Sequence, residues 1–411
     1  MEHTDTPSHS ATPLADPTTG RHYGMDWLRI AAFAMLIFYH VGMGFVPWDW
    51  HVKWTGISET LRLPMLAMNG WRLSLLFVVS GYASAALFAK MTPGAFLRSR
   101  SARLLIPLVF GAVLIIPPQV WIDLMFNHGY ARGYLAFWGS DYFRFGALGG
   151  IIMPTWQHLW FVVYLFAYTL ALIGLHLLLG ARGRALAAKA GSLLLGGPLL
   201  LLVPVAWIVA RYTLVFPGLS DTHALVDDFA AHWIFLPMFL FGVLLRYSAT
   251  LWTTIRQWWA GLALSALAST AAMLLIAWHM TGNPDWPMWL EIGYTALRST
   301  QSWLVILALI GLSDRFWNRD HASRAMLNEA VFPFYIIHQT IIVAFIWYLR
   351  PLAMPIAMAF VLTMLVTTLG CCLFYRIGRE VPVLRVLIGL RGWRVPPAPK
   401  PAAINLPAAT G

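Results

Sequence analysis

The chain has 411 residues, 59% of them apolar and only 11% charged; 28 Lys and Arg against 17 Asp and Glu give a net charge of +11. Soluble domains run near half apolar and a quarter charged, whereas the mean hydropathy here is +0.67. That balance disfavours a water-soluble enzyme, a disordered protein and a nucleic-acid binder, and the adjacent pair Cys371 and Cys372 cannot build a disulfide framework. An all-α polytopic membrane protein is expected.

The hydrophilic residues 1–22, rich in Pro, Thr and Ser, lack the basic start and small-residue cleavage site of a signal peptide and read as a disordered cytosolic tail. Ten stretches long enough to cross the bilayer follow, near 27–47, 65–89, 104–126, 159–180, 193–214, 230–246, 258–279, 288–312, 330–349 and 352–375. Residues 23–390 form one ten-span domain on this reading, and 391–411 a second, Pro-rich cytosolic tail. Nineteen of the 28 Lys and Arg fall in segments on the side of the N-terminus, five (Lys53, Arg62, Arg132, Arg144, Arg350) on the other, and four within spans. The positive-inside rule then places both termini in the cytosol, and the basic excess suits anionic membrane lipid rather than nucleic acid.

No internal repeat, Walker loop, zincin pair, nucleophile elbow or dinucleotide fingerprint is present. The loop 127–157 is rich in aromatic residues (Tyr130, Tyr134, Phe137, Trp138, Tyr142, Phe143), suited to sugar faces or to lipid headgroups. Ionisable groups inside spans are costly and therefore functional candidates. Arg29 and His40 in the first span are eleven apart, three turns plus 20°, so they share a face about 16 Å apart along the axis. Asp26 lies on the same stripe, placed to pair with Arg29. Arg72 stands in the second span, Glu291 and Arg298 seven apart in the eighth, and Tyr335 and His338 three apart in the ninth. His158 and Trp160 open the fourth span at the outer surface, where a headgroup contact is expected for His158, as it is for Arg211. Interior arginines with few acids suit an anionic ligand better than a metal ion or sodium, so no metal site is expected.

The pattern Arg29, ten residues, His40 resembles the first-span signature of the acyltransferase 3 family of ten-span enzymes. Phe77-Val78-Val79-Ser80-Gly81-Tyr82 is similar to that family's second-span motif. Phe96-Leu97-Arg98-Ser99-Arg100 with Arg103-Leu104-Leu105-Ile106-Pro107 is similar to its basic inner loop. His158-Leu159-Trp160-Phe161, the run Asn328 to His338, and Val381-Pro382-Val383-Leu384-Arg385 resemble its glucans biosynthesis protein C branch, with Val162 in place of a leucine.

The resemblance implies transfer of an acyl group from cytosolic acyl-CoA to a carbohydrate hydroxyl outside a bacterial inner membrane; in that branch the product is a succinylated periplasmic glucan. Arg29 and His40 carry over as functional residues. No permanently bound cofactor is expected, and succinyl-CoA or acetyl-CoA is the expected donor substrate. Arg98, Arg100, Arg103 and Arg29 present charge to the CoA phosphates at the cytosolic face, and a neutral His40 takes the hydroxyl proton. Arg72 or Arg298 stabilises the oxyanion or pairs with an acyl carboxylate, while His158 and Trp160 lie on the acceptor side. A non-enzymatic flippase or exporter of a glycan or anionic solute is the competing reading. A membrane-bound O-acyltransferase of the other fold ranks third, since no matching Asn–His arrangement is found.

Overall fold

The computed structural model describes residues 21–180, 182–282 and 285–390. The two expected tails, apart from Arg21 and His22, lie outside the described residues, as do Arg391, Arg394 and Lys400 of the charge count. Eight helices are long and apolar enough to cross a membrane, and the number rises to ten if each of two bent pairs is one span. In chain order the helices are α1 (Tyr23–Met43), α2 (Glu59–Phe88), the bent pair α3 (Pro93–Ile115) and α4 (Pro117–Asn127), and α5 (Gln157–Leu179). The second bent pair, α6 (Arg182–Leu194) and α7 (Leu199–Val215), precedes α8 (Phe229–Tyr247), α9 (Ala249–His279), α10 (Met288–Phe316), α11 (Ala322–Leu352) and α12 (Ile356–Glu380). The chain is an all-helical polytopic membrane protein with one small antiparallel hairpin, β1 (Gly146–Leu148) and β2 (Ile151–Met153).

Both bends have local causes. Pro117 and Pro118 remove two amide donors where α3 meets α4, and the axis turns by 44°. Between α6 and α7 the run Gly196-Gly197-Pro198 turns it by 91°, Gly197 taking a φ of +56°. The stretches expected as spans at 104–126 and 193–214 are therefore bent helix pairs. The seventh begins at Ala249 rather than near 258, because the Ser248 hydroxyl accepts from the Leu251 amide and starts the helix early.

Apolar packing sets the rest. The helices α2 and α8 meet most intimately, because Gly81 admits the Phe239 carbonyl and Gly242 admits that of Val78, where any side chain would collide. Small residues let backbones approach in this way when no water drives association. Phe77, from the same second-span motif, stacks on Phe235 at 4.9 Å between ring centres.

The beginning of α1 marks one face of the bundle. Trp27 Nε1 donates to the Arg319 carbonyl at 3.1 Å, His22 Nε2 meets Asp314 at 2.8 Å, and Arg256 Nε meets the same carboxylate at 2.7 Å. The opposite face carries the loops 44–58, 128–156 and 216–228. Most rings of the long loop are not held out toward sugar or headgroups. Phe137 and Tyr142 are buried, Trp138 Nε1 donates to the Val113 carbonyl at 2.9 Å, and Tyr130 donates to Asp141 at 2.6 Å. Trp138, Tyr130 and Tyr142 each spend the polar atom on a nearby acceptor.

Candidate active site

His40, near the end of α1, lines a cavity of about 400 Å³, a volume in the range of small-molecule sites. Its floor includes Leu36, Tyr39, Phe161 and Tyr335, and its rim includes Thr155, Trp156, Gln157 and Thr222 from the loops of the face opposite the α1 start. His40 Nδ1 lies 2.7 Å from His338 Nε2 on α11. His338 Nδ1 approaches the carbonyls of Tyr335 at 2.8 Å and Phe334 at 3.2 Å. Carbonyl oxygens accept and never donate, so His338 Nδ1 bears the proton and its Nε2 the lone pair. His40 Nδ1 must then be the donor across the pair. With both rings neutral, the lone pair of His40 is left on Nε2, in a ring that lines the cavity.

The surroundings hold this ring in place. Trp50 stacks on His40 with centres 5.5 Å apart, and His338 meets the imidazole edge on, nearly coplanar with it, with centres 5.0 Å apart. Asn127 donates to the Trp50 carbonyl at 3.2 Å, and His51 Nδ1 meets Asp123 at 2.6 Å while its Nε2 meets the Gln339 amide at 2.9 Å. Arg72 is buried with its guanidinium 3.4 Å over the Tyr39 ring; NH1 donates to Asn69, and Nε has no hydrogen-bond partner. Among the described residues lining the cavity there is no carboxylate, and Arg72 is its one guanidinium. An uncompensated buried cation marks a place for an anion.

A second, smaller cavity opens at the other end of α1. Arg29, Arg100 and Arg103 line it with Ser80, Asn328 and Glu329. Arg29 NH2 donates to the Asn328 carbonyl at 2.9 Å, but Arg29 Nε and Arg100 NH2 are buried without partners. Phe161 lines both cavities. With Phe33 and Tyr335 it forms an aromatic septum, the three rings lying 5.6 to 6.5 Å apart.

The sequence-derived residues distribute unevenly over this site. His40, Arg72, His158, Trp160 and Tyr335 line the larger cavity with His338 directly behind, and Arg29, Arg100 and Arg103 line the smaller. Arg98 is exposed and outside both. The expected Asp26–Arg29 pair is not formed, because Arg21 and Arg324 take Asp26 Oδ2 at 2.9 and 2.7 Å and Asn328 takes Oδ1 at 3.3 Å. Glu291 is exposed at the start of α10 and makes no ion pair with Arg298 among the described residues. Arg298 lines a separate crevice with Ser299, Ser302 and Tyr212. Nor does His158 reach a headgroup. Its Nε2 donates to the Ile336 carbonyl at 3.0 Å, Gln119 is 3.4 Å from its Nδ1, and Tyr335 donates to its carbonyl. Both ring nitrogens are thereby used, which makes His158 a buried brace of the cavity wall. Arg211 is likewise buried, on Asp221 at 3.2 Å and the carbonyls of Phe216 and Leu219.

Trp50, His51, Gln339, Thr222 and His223 line the larger cavity and are not singled out by the sequence. Most stand on loops without periodicity, where the one available signal is a Trp-rich stretch (Trp48, Trp50, Trp54) directly after His40. His223 stacks on Trp160 at 4.2 Å, so one face of this acceptor-side candidate is covered by an imidazole. Burial lowers the pKa of His223 despite the upward pull of Asp221 and Asp228. Burial would raise Asp228, but hydrogen bonds from the Tyr164 hydroxyl at 2.6 Å and from the His223 amide at 2.7 Å prevail and lower it. That carboxylate fixes the loop bearing His223 to α5 and to the start of α8.

Residues 22–376 match the acyltransferase domain that defines the acyltransferase 3 family. The chain belongs to that family. It is similar to glucans biosynthesis protein C of Escherichia coli O17:K52:H18, 22% identical over 374 residues, covering 89% of this chain and 94% of the relative. The protein of that name from Salmonella typhimurium is 22% identical over 372 residues, with the same coverage. No solved structure matches.

This acyltransferase thus carries the two ends of the Arg29–His40 signature in different compartments of one bundle. Within the second-span motif the division of labour is visible too: Ser80 lines the arginine cavity, whereas Phe77 and Gly81 serve the α2–α8 contact.

Proposed function

We propose that the chain moves a short acyl group, succinyl by preference, from cytosolic acyl-CoA to a hydroxyl of an extracytoplasmic glucan, across a bacterial inner membrane with both termini in the cytosol. The observation that carries this reading is the His40–His338 pair: a neutral imidazole with Nε2 unprotonated, facing a cavity rimmed by loops of the opposite face. The partnerless nitrogens of Arg29 and Arg100 support a phosphate or pantetheine amide at the cytosolic cavity. The thioester then passes the septum of Phe33, Phe161 and Tyr335 to reach His40. Arg72, the one guanidinium of the larger cavity, meets the free carboxylate of a succinyl group.

In the transfer, the glucan hydroxyl oxygen forms a bond to the thioester carbon while His40 Nε2 takes its proton. His338 Nε2 accepts from His40 Nδ1 throughout and stabilises the imidazolium. The intermediate collapses by breaking the carbon–sulfur bond, and the CoA thiolate recovers the proton from His40, giving ester and free CoA thiol. Purified protein in lipid nanodiscs, supplied with succinyl-CoA and a β-glucan oligosaccharide, should release CoA thiol and add one succinyl mass per event. His40→Ala should abolish both while the variant stays folded. Normal product from that variant refutes the assignment, and export of unmodified glucan without any acylation favours a carrier.

A further inference from the structure

We infer that the indole N–H of Trp50 is a catalytic donor, directed at the carbonyl oxygen on which negative charge collects as the hydroxyl adds. This rests on the acyl-transfer reading above and deepens it. Trp50 lines the larger cavity and stacks on His40 with 20° between the planes. Its Nε1 is buried and has no hydrogen-bond partner among the described residues. Buried indole N–H groups nearly always find an acceptor, and four indoles nearby obey the rule. Trp54, Trp121, Trp138 and Trp156 all donate to backbone carbonyls at 2.9 to 3.3 Å. Trp50 alone of these five keeps its donor unspent, and it does so against the imidazole that takes the proton.

The indole is also built to stay where it is. Asn127 Nδ2 donates to the carbonyls of Trp50 and His51 at 3.2 and 3.3 Å and to Asp123 Oδ1 at 2.7 Å. Asp123 Oδ2 and the Gln339 amide then hold the two nitrogens of His51, the next residue. The backbone on either side of the ring is thereby tied to α4 and α11, and the covered Nε1 meets the acyl carbonyl as the cavity opens to admit the thioester. Arg72 also has a partnerless Nε, but it lies over Tyr39. Trp50 touches the base itself, and the attacked carbonyl must come within about 3 Å of both base-side and oxyanion groups. As the hydroxyl oxygen bonds to the carbon, the carbonyl π pair moves to its oxygen, which accepts from Trp50 Nε1. On collapse the pair returns, the carbon–sulfur bond breaks, and the thiolate takes the proton held by His40.

The test removes the N–H and keeps the ring. Trp50→Phe, and replacement of Trp50 by 3-benzothienylalanine, whose sulfur substitutes for the N–H in an isosteric bicycle, are compared with the wild type in nanodiscs. Both should lower kcat by about 10²- to 10³-fold with little change in KM for acyl-CoA or glucan, and the benzothienyl variant should melt with the wild type. Unchanged kcat in the benzothienyl variant overturns the inference. So does a raised KM for glucan with kcat intact, which would make the indole an acceptor-binding group. A wild-type chain that acylates nothing overturns the acyl-transfer reading itself, an outcome separate from either.

Discussion

The tautomer chain through His338 makes the sharpest prediction. In His338→Phe the Nδ1–H of His40 loses its acceptor at 2.7 Å, and nothing then prevents the proton from residing on Nε2, where it blinds the base. The lost bond is one to a group that becomes charged as it works, about 1.5–3 kcal/mol, or roughly 10- to 10²-fold in rate. His40→Ala, which removes the proposed base itself, should abolish turnover. His338→Gln, whose amide oxygen can accept the same proton, should fall between wild type and His338→Phe. The assay is thiol release from acyl-CoA by nanodisc-embedded protein with saturating glucan, with product mass as a check. A wild-type rate in His338→Phe refutes the relay. A loss equal to that of His40→Ala refutes it in the other direction, by making His338 the base.

Three further outcomes follow from the same geometry. Arg72→Met should lower succinyl transfer by about 10- to 10²-fold relative to acetyl transfer, the value of one charge-assisted contact; an unchanged succinyl-to-acetyl ratio refutes the carboxylate role. Arg100→Ala should raise KM for acyl-CoA about tenfold with kcat nearly constant, the signature of lost uniform binding, and a fall in kcat alone would contradict it. His223 titrates below its ordinary 6.5 because it is buried, so the opened loop binds more protons than the closed one. Closure is therefore unaffected above about pH 6.5 and weakens as the pH falls below it. Hydrogen exchange at the Leu225 amide, which donates to Tyr164 at 3.3 Å, should show that loss of protection, and His223→Phe should abolish the pH dependence; a flat profile in the wild type refutes it.

Much of this architecture is legible in the sequence, for physical reasons. Apolar length locates the helices, and the cost of burying charge flags Arg29, His40, Arg72 and His338. Helical periodicity tells which residues share a face of one helix, and there it stops. The His40–His338 bond joins residues 298 apart, and nothing in the spacing of either helix announces it. Arg72 and Arg298 look alike in a span-by-span reading, yet one lines the cavity of the base and the other a crevice beside it. Asp26 is on the right stripe for Arg29 but is taken by Arg324, Arg21 and Asn328. The bends were missed because an apolarity window sums over prolines and glycines without registering that they break the axis.

The aromatic septum bears most directly on the crossing of acyl groups. A single open cavity running from Arg29 to His40 would leak protons and small solutes. Instead Phe33, Phe161 and Tyr335 divide the path in two, and Phe161 is a wall of both halves. Tyr335 belongs to the helix that carries His338 and is tied to the His158 carbonyl through its hydroxyl. Phe33 is two turns below His40 on α1. Phe33 and Tyr335 thus stand on the two helices of the His40–His338 pair, whereas Phe161 stands on α5, so on the proposed transfer it is Phe161 that turns aside to admit the pantetheine arm without moving either helix of the pair. On the proposed transfer, such a division reconciles two demands: the membrane stays closed while the acyl group, on an arm that must span the Arg29–His40 separation of roughly 16 Å, is delivered to His40 from the opposite side.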